Sequence, residues 1–218
     1  MIKSQMTLGL HFSSRTVGTV VVRTPNIWIE RHIEITRASA ENLPLAVESI
    51  LKEAEIPLSG LSEIGVVVGP GALTPLRLSV ATAQTMGLVA QVPVVGICGF
   101  EVLLRDGWRL IQIVVLEGRP GRCLIRGYVQ VGDEFKPLFK QIEKHVDHTV
   151  RLVNRFNARV GVVTSAVWVF DRLHSECPGA DVRYVDRTGS ALVALLDSQR
   201  AGLDVATPLR INYGYAPV

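Results

Sequence analysis

Residues 64–97 constrain the fold most strongly, because their residue types indicate a strand, a glycine turn, a helix and a second strand. The apolar run 64–68 is typical of a strand buried on both faces. Gly69-Pro70-Gly71 ends it, since glycine adopts the backbone angles of a sharp turn and proline cannot continue a hydrogen-bonded ladder. A helix over about 75–90 and a buried strand over 92–97 follow. The stretch therefore predicts a sheet with a helix packed against it.

The helix of this stretch has an unusual surface. We predict that Thr74 caps its N-terminus and that Pro75 takes its first position, where a missing N–H costs nothing. Arg77 is its only charged residue, and the next charge along the chain is Glu101. A helix that is uncharged all round is usually buried all round. In a domain of this size, we expect one side of it to meet another protein, through residues that include Arg77, Leu78, Ala81, Thr85 and Leu88.

A membrane span is the alternative explanation of the uncharged run 78–100. Polar Ser79, Gln84 and Gln91 interrupt this run, and Pro93 breaks it, so it does not supply the roughly 20 apolar residues that a span needs. The first residues, MIKSQMTLGLHF, become polar too soon for a signal peptide. We therefore expect no membrane segment and a cytoplasmic location.

The composition favours a folded protein without a disulfide framework. With 218 residues, of which 48% are hydrophobic and 20% charged, the chain can form one large domain or two small ones. A net charge of +3 is too mild to indicate a dedicated nucleic-acid binder. Cys98, Cys123 and Cys177 are odd in number and form no CxxC pair, which favours reduced thiols over disulfides or a zinc site.

The remaining segments predict two halves of like topology that meet near residues 100–105. An amphipathic helix over 39–55 has Leu43 and Val47 in its apolar stripe. Strands are predicted at 7–12, 17–23, 27–35, 109–117, 122–131, 134–139, 160–165 and 181–185, and further helices at 142–156 and 190–200. The tail 207–218 reads as extended. The sequence thus predicts an α/β protein with mixed sheets, divided into 1–103 and 104–218, in which the final segment can pack back on the first half.

Two turns are candidate anion sites. The glycine turn precedes a helix, whose first N–H groups could hold a phosphate, although the P-loop and dinucleotide spacings are absent. The turn 117–122 carries arginines that suit phosphate or carboxylate. The alternative for the glycine turn is a purely structural role, and the alternative for the turn 117–122 is an ordinary surface turn. The candidate anion or nucleotide contacts are Ser13, Gly69, Gly71, Thr74 and Arg119.

No catalytic or metal-binding constellation is predicted. His145 and His148 are three residues apart on a predicted helix, a spacing that can direct two imidazoles at one metal, but no third ligand is identifiable. Ser165, Asp171 and His174 resemble a hydrolase triad only superficially, since the G-x-S-x-G elbow is missing and the three are crowded in sequence. We therefore predict no catalytic residue, no metal and no cofactor.

The segment 58–104 resembles the bacterial TsaB (YeaZ-like) family. Its glycine turn and helix start read GPGALTPLR, and a small-residue helix and the strand VPVVGI follow. The family typically has GPGSFTGLR, a small-residue helix and a similar strand at these places. The resemblance is specific here and loose over the rest of the chain. It implies the ASKHA fold, the duplicated architecture of actin-like ATPases and sugar kinases.

The resemblance also implies a function. TsaB-type proteins take part in making threonylcarbamoyladenosine, the modified adenosine beside the tRNA anticodon. In that system TsaB is not the catalyst but pairs with the catalytic subunit TsaD, and the small ATPase TsaE joins them. Helices corresponding to 39–55 and 75–90 make the subunit contact and can support a homodimer, which adds Leu43 and Val47 to the expected partner-binding residues. The chain is then expected to meet tRNA only through the complex.

The sequence departs from the family at the end of the first strand. His11, Phe12 and Ser13 stand where the family usually has Asp-Thr-Ser. In an ASKHA phosphate hairpin the aspartate serves the metal–nucleotide complex, and a neutral imidazole does not replace a carboxylate toward magnesium. One alternative is that the chain is an active ASKHA-type kinase or acyl-phosphate enzyme. A second alternative is that it is a divergent paralogue with a different function.

Overall fold

The chain folds into two compact units. The computed structural model describes residues 6–36, 39–105, 107–156, 160–185, 188–199 and 209. The first unit contains the described residues up to Val102 together with 188–199 and 209, and the second contains those from Leu103 to 185. The sequence-based division assigned the helix near 190–200 to the second half, whereas the structure places it in the first unit.

The first unit is built on a five-stranded mixed sheet. Its strands lie in the order β3-β2-β1-β4-β5, with β1 antiparallel to β2, β2 antiparallel to β3, and β1, β4 and β5 mutually parallel. The strands are β1 (Thr7–His11), β2 (Val17–Arg23), β3 (Trp28–Glu34), β4 (Glu63–Gly69) and β5 (Val94–Cys98), and the first two helices are α1 (Ser39–Glu53) and α2 (Leu73–Ala90). Short 3-10 helices cover Leu58–Gly60 and Glu101–Leu103.

Apolar side chains cover both faces of this sheet. On one face, α1 and α2 pack in a cluster that includes Leu8, Leu10, Leu43, Val47, Ile50, Val80 and Ala83. On the other face, helix α5 (Gly189–Gln199) contributes Leu192, Val193 and Leu196 to a second cluster with Val67 and Ile97. Burial of this second face explains why the last helix belongs to the first unit, since a parallel strand that is apolar on both sides must be covered twice.

The second unit repeats the topology of the first. Its sheet has the order β11-β10-β6-β7-β8, in which β6, β7 and β8 form an antiparallel meander and β6, β10 and β11 are parallel. The elements are β6 (Ile111–Glu117), β7 (Arg122–Val131), β8 (Glu134–Pro137), β9 (Ile142–His145), β10 (Val160–Thr164), β11 (Asp181–Tyr184), α3 (Val146–Phe156) and α4 (Val167–Glu176). The prediction of an α/β fold with two similar mixed sheets is confirmed.

Two predictions in the second half were wrong. The helix predicted over 142–156 begins only at Val146, because Ile142–His145 forms strand β9 and pairs antiparallel with β7. A four-residue strand is too short to show its alternation in the sequence, and the partner strand decides its conformation. Helix α4 was missed, since no helical segment was predicted between 160–165 and 181–185. The predicted extended tail, 207–218, lies outside the described residues except for Leu209.

Candidate functional site

The glycine turn packs against the hairpin that joins β1 and β2. Gly69 has φ = 113°, a conformation that glycine tolerates, and the Gly69–Pro70 peptide bond is cis. A Cβ atom at Gly71 would lie 2.4 Å from the backbone oxygen of Ser13, so only glycine fits this contact. The N–H of Ala72 donates a hydrogen bond of 2.8 Å to that same oxygen.

This contact also explains where α2 begins. The helix starts at Leu73, and its N-cap residue is Ala72, without a side-chain hydrogen bond. The prediction of Thr74 as the cap was therefore wrong. The hydrogen bond to Ser13 fixes the backbone of Ala72, and the helix begins at the next residue. The N–H of Leu76 then donates a helical hydrogen bond of 3.1 Å to the carbonyl of Ala72. Pro75 remains acceptable, because N–H groups of the first turn have no partner within the helix.

His11, the last residue of β1, lies next to Ser13 of this hairpin. It is 8% exposed, its Nδ1 lies 2.7 Å from the Thr188 hydroxyl, and its Nε2 lies 2.7 Å from the Ser13 hydroxyl. Burial lowers the pKa of His11 to about 4, so the ring is neutral at pH 7. A neutral ring donates from one nitrogen and accepts at the other, and the two hydroxyls satisfy both. We call His11, Ser13, Gly71 and Thr188 the hairpin cluster.

The hairpin cluster brings together only part of the predicted anion site. Ser13 and Gly71 are in contact, whereas the carbonyl of Gly69 accepts a hydrogen bond of 2.7 Å from Gly99 N–H and Thr74 is exposed on the first turn of α2. The N-terminus of α5 is similarly occupied, since Gly189 N–H donates to Glu30 Oε1 at 3.3 Å. Among the described residues, no group of three or more His, Cys, Asp or Glu side chains is placed to hold a metal ion.

Arg119, the fifth predicted anion contact, belongs to the second unit and is paired there. Its Nε donates to Glu143 Oε1 at 3.0 Å, its terminal nitrogen bonds the other carboxylate oxygen, and Arg122 Nε lies 3.5 Å from that oxygen. The Arg119 guanidinium holds the pKa of the Glu143 carboxyl below its usual range. The arginine fork therefore binds a carboxylate of its own chain.

The outward side of α2 is the second candidate site. Arg77, Ala81, Thr85 and Leu88 are all exposed and follow one another at intervals of three or four residues, so they form one stripe. Leu88 is 76% exposed, and the adjacent Val89 is 71% exposed. Leu78, in contrast, is half-buried and packs against the core. We define the outer face of α2 as Arg77, Ala81, Thr85, Leu88 and Val89. Val89 was missed in the sequence, although the absence of charge along the helix could have indicated it.

The structure places two of the expected partner-binding residues elsewhere. Leu43 and Val47 are 0% exposed and belong to the core beneath α1, as their place in the apolar stripe of that helix indicates. A partner has no access to them in this structure. Among the described side chains of α1, Leu45 is a large apolar one that is exposed, at 61%.

The chain is similar in sequence to proteins whose names refer to tRNA modification. A family described as "TsaD: tRNA N6-adenosine threonylcarbamoyltransferase" matches residues 33–157. The tRNA threonylcarbamoyladenosine biosynthesis protein TsaB of Buchnera aphidicola is 33% identical over 67 residues, which are 31% of this chain and 31% of that protein. TsaB of Bacillus subtilis is 26% identical over 100 residues, covering 46% of this chain and 44% of that protein. The chain thus matches less than half the length of these curated relatives.

Solved structures resemble the whole fold. YeaZ from Pseudomonas aeruginosa has a TM-score of 0.70 at 16% identity, and covers 95% of this chain and 99% of its own. An uncharacterized protein with similarity to the peptidase YeaZ, also from Pseudomonas aeruginosa, has a TM-score of 0.73 at 18% identity and covers 95% of this chain and 100% of its own. At these identities the likeness establishes the fold, which is ASKHA-like. Among the described residues, no helix is long and apolar enough to cross a membrane.

Proposed function

Because the chain belongs to the TsaD-type tRNA N6-adenosine threonylcarbamoyltransferase family, as a member of the TsaB (YeaZ) kind, we propose that it is a non-catalytic subunit of the assembly that makes threonylcarbamoyladenosine in tRNA. Its partner in this proposal is a TsaD-like catalytic subunit, and a TsaE-like ATPase joins the two. In the absence of the partner, the same surface pairs two copies of the chain as a homodimer.

The outer face of α2 carries this proposal. It presents Ala81, Thr85, Leu88 and Val89 to solvent with a single charge, at Arg77. Full burial of a leucine or valine side chain is worth roughly 1.5–3 kcal/mol, so covering Leu88 and Val89 would supply a large part of a specific contact. Charged residues are depleted at the centre of protein interfaces, and four of the five residues of this face are uncharged.

The hairpin cluster supports a role without catalysis. The position that would carry a carboxylate for a metal–nucleotide complex holds His11, which is buried and neutral and forms hydrogen bonds to two hydroxyls of its own chain. The Ser13 hydroxyl is engaged by this imidazole. The chemistry of an active ASKHA-type kinase, the alternative function, requires a carboxylate that this cluster does not supply.

The test is a charge placed on the outer face of α2. Ala81→Glu should abolish stable association with the TsaD-like subunit of the same organism, because a desolvated and unpaired carboxylate costs several kcal/mol at an interface. Association is measured by size-exclusion chromatography with light scattering.

Ala194→Glu is the matched control, since Ala194 is an exposed alanine of helix α5, which packs on the opposite face of the sheet. It should leave association unchanged. Equal binding by the wild type and Ala81→Glu would refute the proposed surface, and the absence of any wild-type complex would refute the proposed function.

A further inference from the structure

The second unit contains a cleft that the proposed function does not use. It has a volume of about 300 Å³ and lies where the loop before β6 meets the end of β7. Its walls are Gly107, Trp108, Arg109, Leu110, Gln130 and Gly132.

Two glutamines hold the walls of this cleft in place. The Gln112 side chain is fully buried, accepts a hydrogen bond of 3.0 Å from Arg105 N–H, and donates to the carbonyls of Arg105 at 2.6 Å and Arg109 at 3.3 Å. On the other wall, Gln130 Oε1 accepts from Gly107 N–H at 3.4 Å. The loop is thereby fixed at both ends, and the cleft needs little rearrangement to receive a ligand.

A stack of planar groups stands beside the cleft. The Trp108 ring lies so close to Gly161 that a Cβ atom there would be 2.8 Å from it, and the Arg183 guanidinium lies 4.3 Å from the centroid of its ring. Asp181 fixes the geometry, since its Oδ2 accepts from Trp108 Nε1 at 2.8 Å and from Arg109 at 3.2 Å. The Arg183 side chain is 53% exposed, and its Nε lies 3.6 Å from Asp181 Oδ1, so the same carboxylate pairs with both arginines.

This arrangement has the chemistry of a nucleotide contact. Unstacked bases of single-stranded RNA stack on arginine planes as well as on aromatic rings, and guanidinium groups attract phosphates. Charge favours the same ligand, because residues 103–186, which include the second unit, contain 13 Lys and Arg against 10 Asp and Glu, whereas the rest of the sequence contains 10 against 10. A protein partner is favoured less, since the exposed group of the stack is a cation.

We propose that this cleft and the Arg183 side chain stacked on its Trp108 wall form a contact site for single-stranded RNA, in which a base stacks on Arg183 and its phosphate lies at Arg109. The RNA is the tRNA substrate, and this identification rests on the proposed function. The chain would then supply a contact of its own, in addition to bringing the catalytic subunit to the tRNA.

The experiment measures binding of a fluorescein-labelled anticodon stem-loop RNA to the purified full chain by fluorescence anisotropy. Arg183→Ala and Arg183→Lys should both weaken binding about fivefold to tenfold, as expected for the loss of one stacked base. Arg183→Lys is decisive, because it keeps the charge and removes the planar group. Arg151→Ala, which removes an exposed arginine on α3, controls for general electrostatics and should change binding less than about twofold.

Asp133 provides a second variant that does not touch the stack. It is exposed and follows Gly132 at the rim of the cleft, so Asp133→Asn should strengthen RNA binding by removing a negative charge. Circular dichroism and thermal unfolding of each variant verify that it is folded. A wild type that does not bind the RNA, Arg183 variants that match Arg151→Ala, or an acidic peptide that binds where RNA does not would each overturn the proposal.

Association of Arg183→Ala with the TsaD-like subunit, measured by light scattering, separates the two proposals. A complex that forms normally but binds the stem-loop more weakly supports both. If the wild type forms no complex and Arg183→Ala still weakens RNA binding, the contact site stands and the proposed function fails.

Discussion

Helices α2 and α4 hold the same place in the two copies of the fold and have different surfaces. Each joins the two parallel strands that follow a three-stranded meander, α2 between β4 and β5 and α4 between β10 and β11. Helix α2 has one charged residue, Arg77, along its 18 residues. Beyond its first turn, α4 exposes Asp171, Arg172 and Glu176, and Arg172 bonds Asp147 at 3.0 Å. Because both helices cover a sheet in the same way, the fold does not require an uncharged outer face. We attribute the difference to a partner on α2.

The hairpins at corresponding places differ in the same manner. The β1–β2 hairpin is closed by uncharged groups, with His11 between Ser13 and Thr188. The β6–β7 turn carries the charged Arg119, which pairs with Glu143 of β9. The first hairpin is thus closed by neutral hydrogen bonds, whereas the turn of the second is held by an ion pair.

The largest effect is expected from a matched pair of leucines on the two helices of the first unit. Leu43→Ala should lower the free energy of unfolding by about 2–5 kcal/mol, because it leaves a cavity in the core. Leu88→Ala should change it by less than about 0.5 kcal/mol and should weaken association instead. Urea unfolding followed by circular dichroism measures the first quantity, and light scattering the second. Similar losses of stability in both variants would show that Leu88 is not a surface residue.

A somewhat smaller effect is expected from the pH dependence of the first hairpin. The pKa of His11 is about 4 in the folded chain against 6.5 for the free group, so the unfolded chain binds more protons between these values. Its contribution to stability is complete above pH 6.5 and is lost as the pH falls through 4, with a total of about 3 kcal/mol. The difference between wild type and His11→Asn in urea unfolding at several pH values isolates this contribution. Parallel pH curves for the two proteins would contradict it.

The smallest effect is expected from the second hairpin. Arg119→Ala should lower the free energy of unfolding by no more than about 1 kcal/mol, since the Arg119 side chain is 60% exposed. Arg119 lowers the pKa of Glu143, so this contribution is present above the carboxyl's ordinary pKa and disappears as the pH falls. Titration by NMR should show a higher Glu143 pKa in Arg119→Ala and no change in Lys140→Ala, an exposed control in the same unit. A larger loss of stability than Leu43→Ala would reverse the order of these predictions.

Most of the secondary structure could be predicted from local pattern. Strands β2 and β7 agree residue for residue with prediction, and α1 and α5 agree within two residues at each end. These segments have strong apolar periodicity or lie between glycine and proline residues, so their conformation depends on near neighbours. Strand β9 and helix α4 could not be predicted in this way, because β9 depends on β7, and α4 begins with Val167 and Trp168 exposed instead of a clear apolar stripe.

The candidate sites were predicted less completely than the fold. The uncharged side of α2 was visible in the sequence, because the lack of charge is a property of residue types alone. Only half of the hairpin cluster could be predicted from the sequence. Ser13 and Gly71 are residue types that are typical of turns. Thr188, however, lies 177 residues along the chain from His11, so the contact between them leaves no local pattern. The cleft beside Trp108 had no signal, because its stack brings together residues that are distant along the chain.

The sequence by itself determined most of the elements and their order, the repetition of a mixed sheet and the uncharged character of α2, since residue type and spacing decide these locally. Only the tertiary structure decided which apolar residues are core, so that Leu43 and Val47 are buried and Leu88 is exposed. It also decided that α5 covers the first sheet and that His11 has two hydroxyl partners. The physical reason is that burial and hydrogen bonding depend on which distant segments meet, and local periodicity specifies a face of an element but not what lies against it.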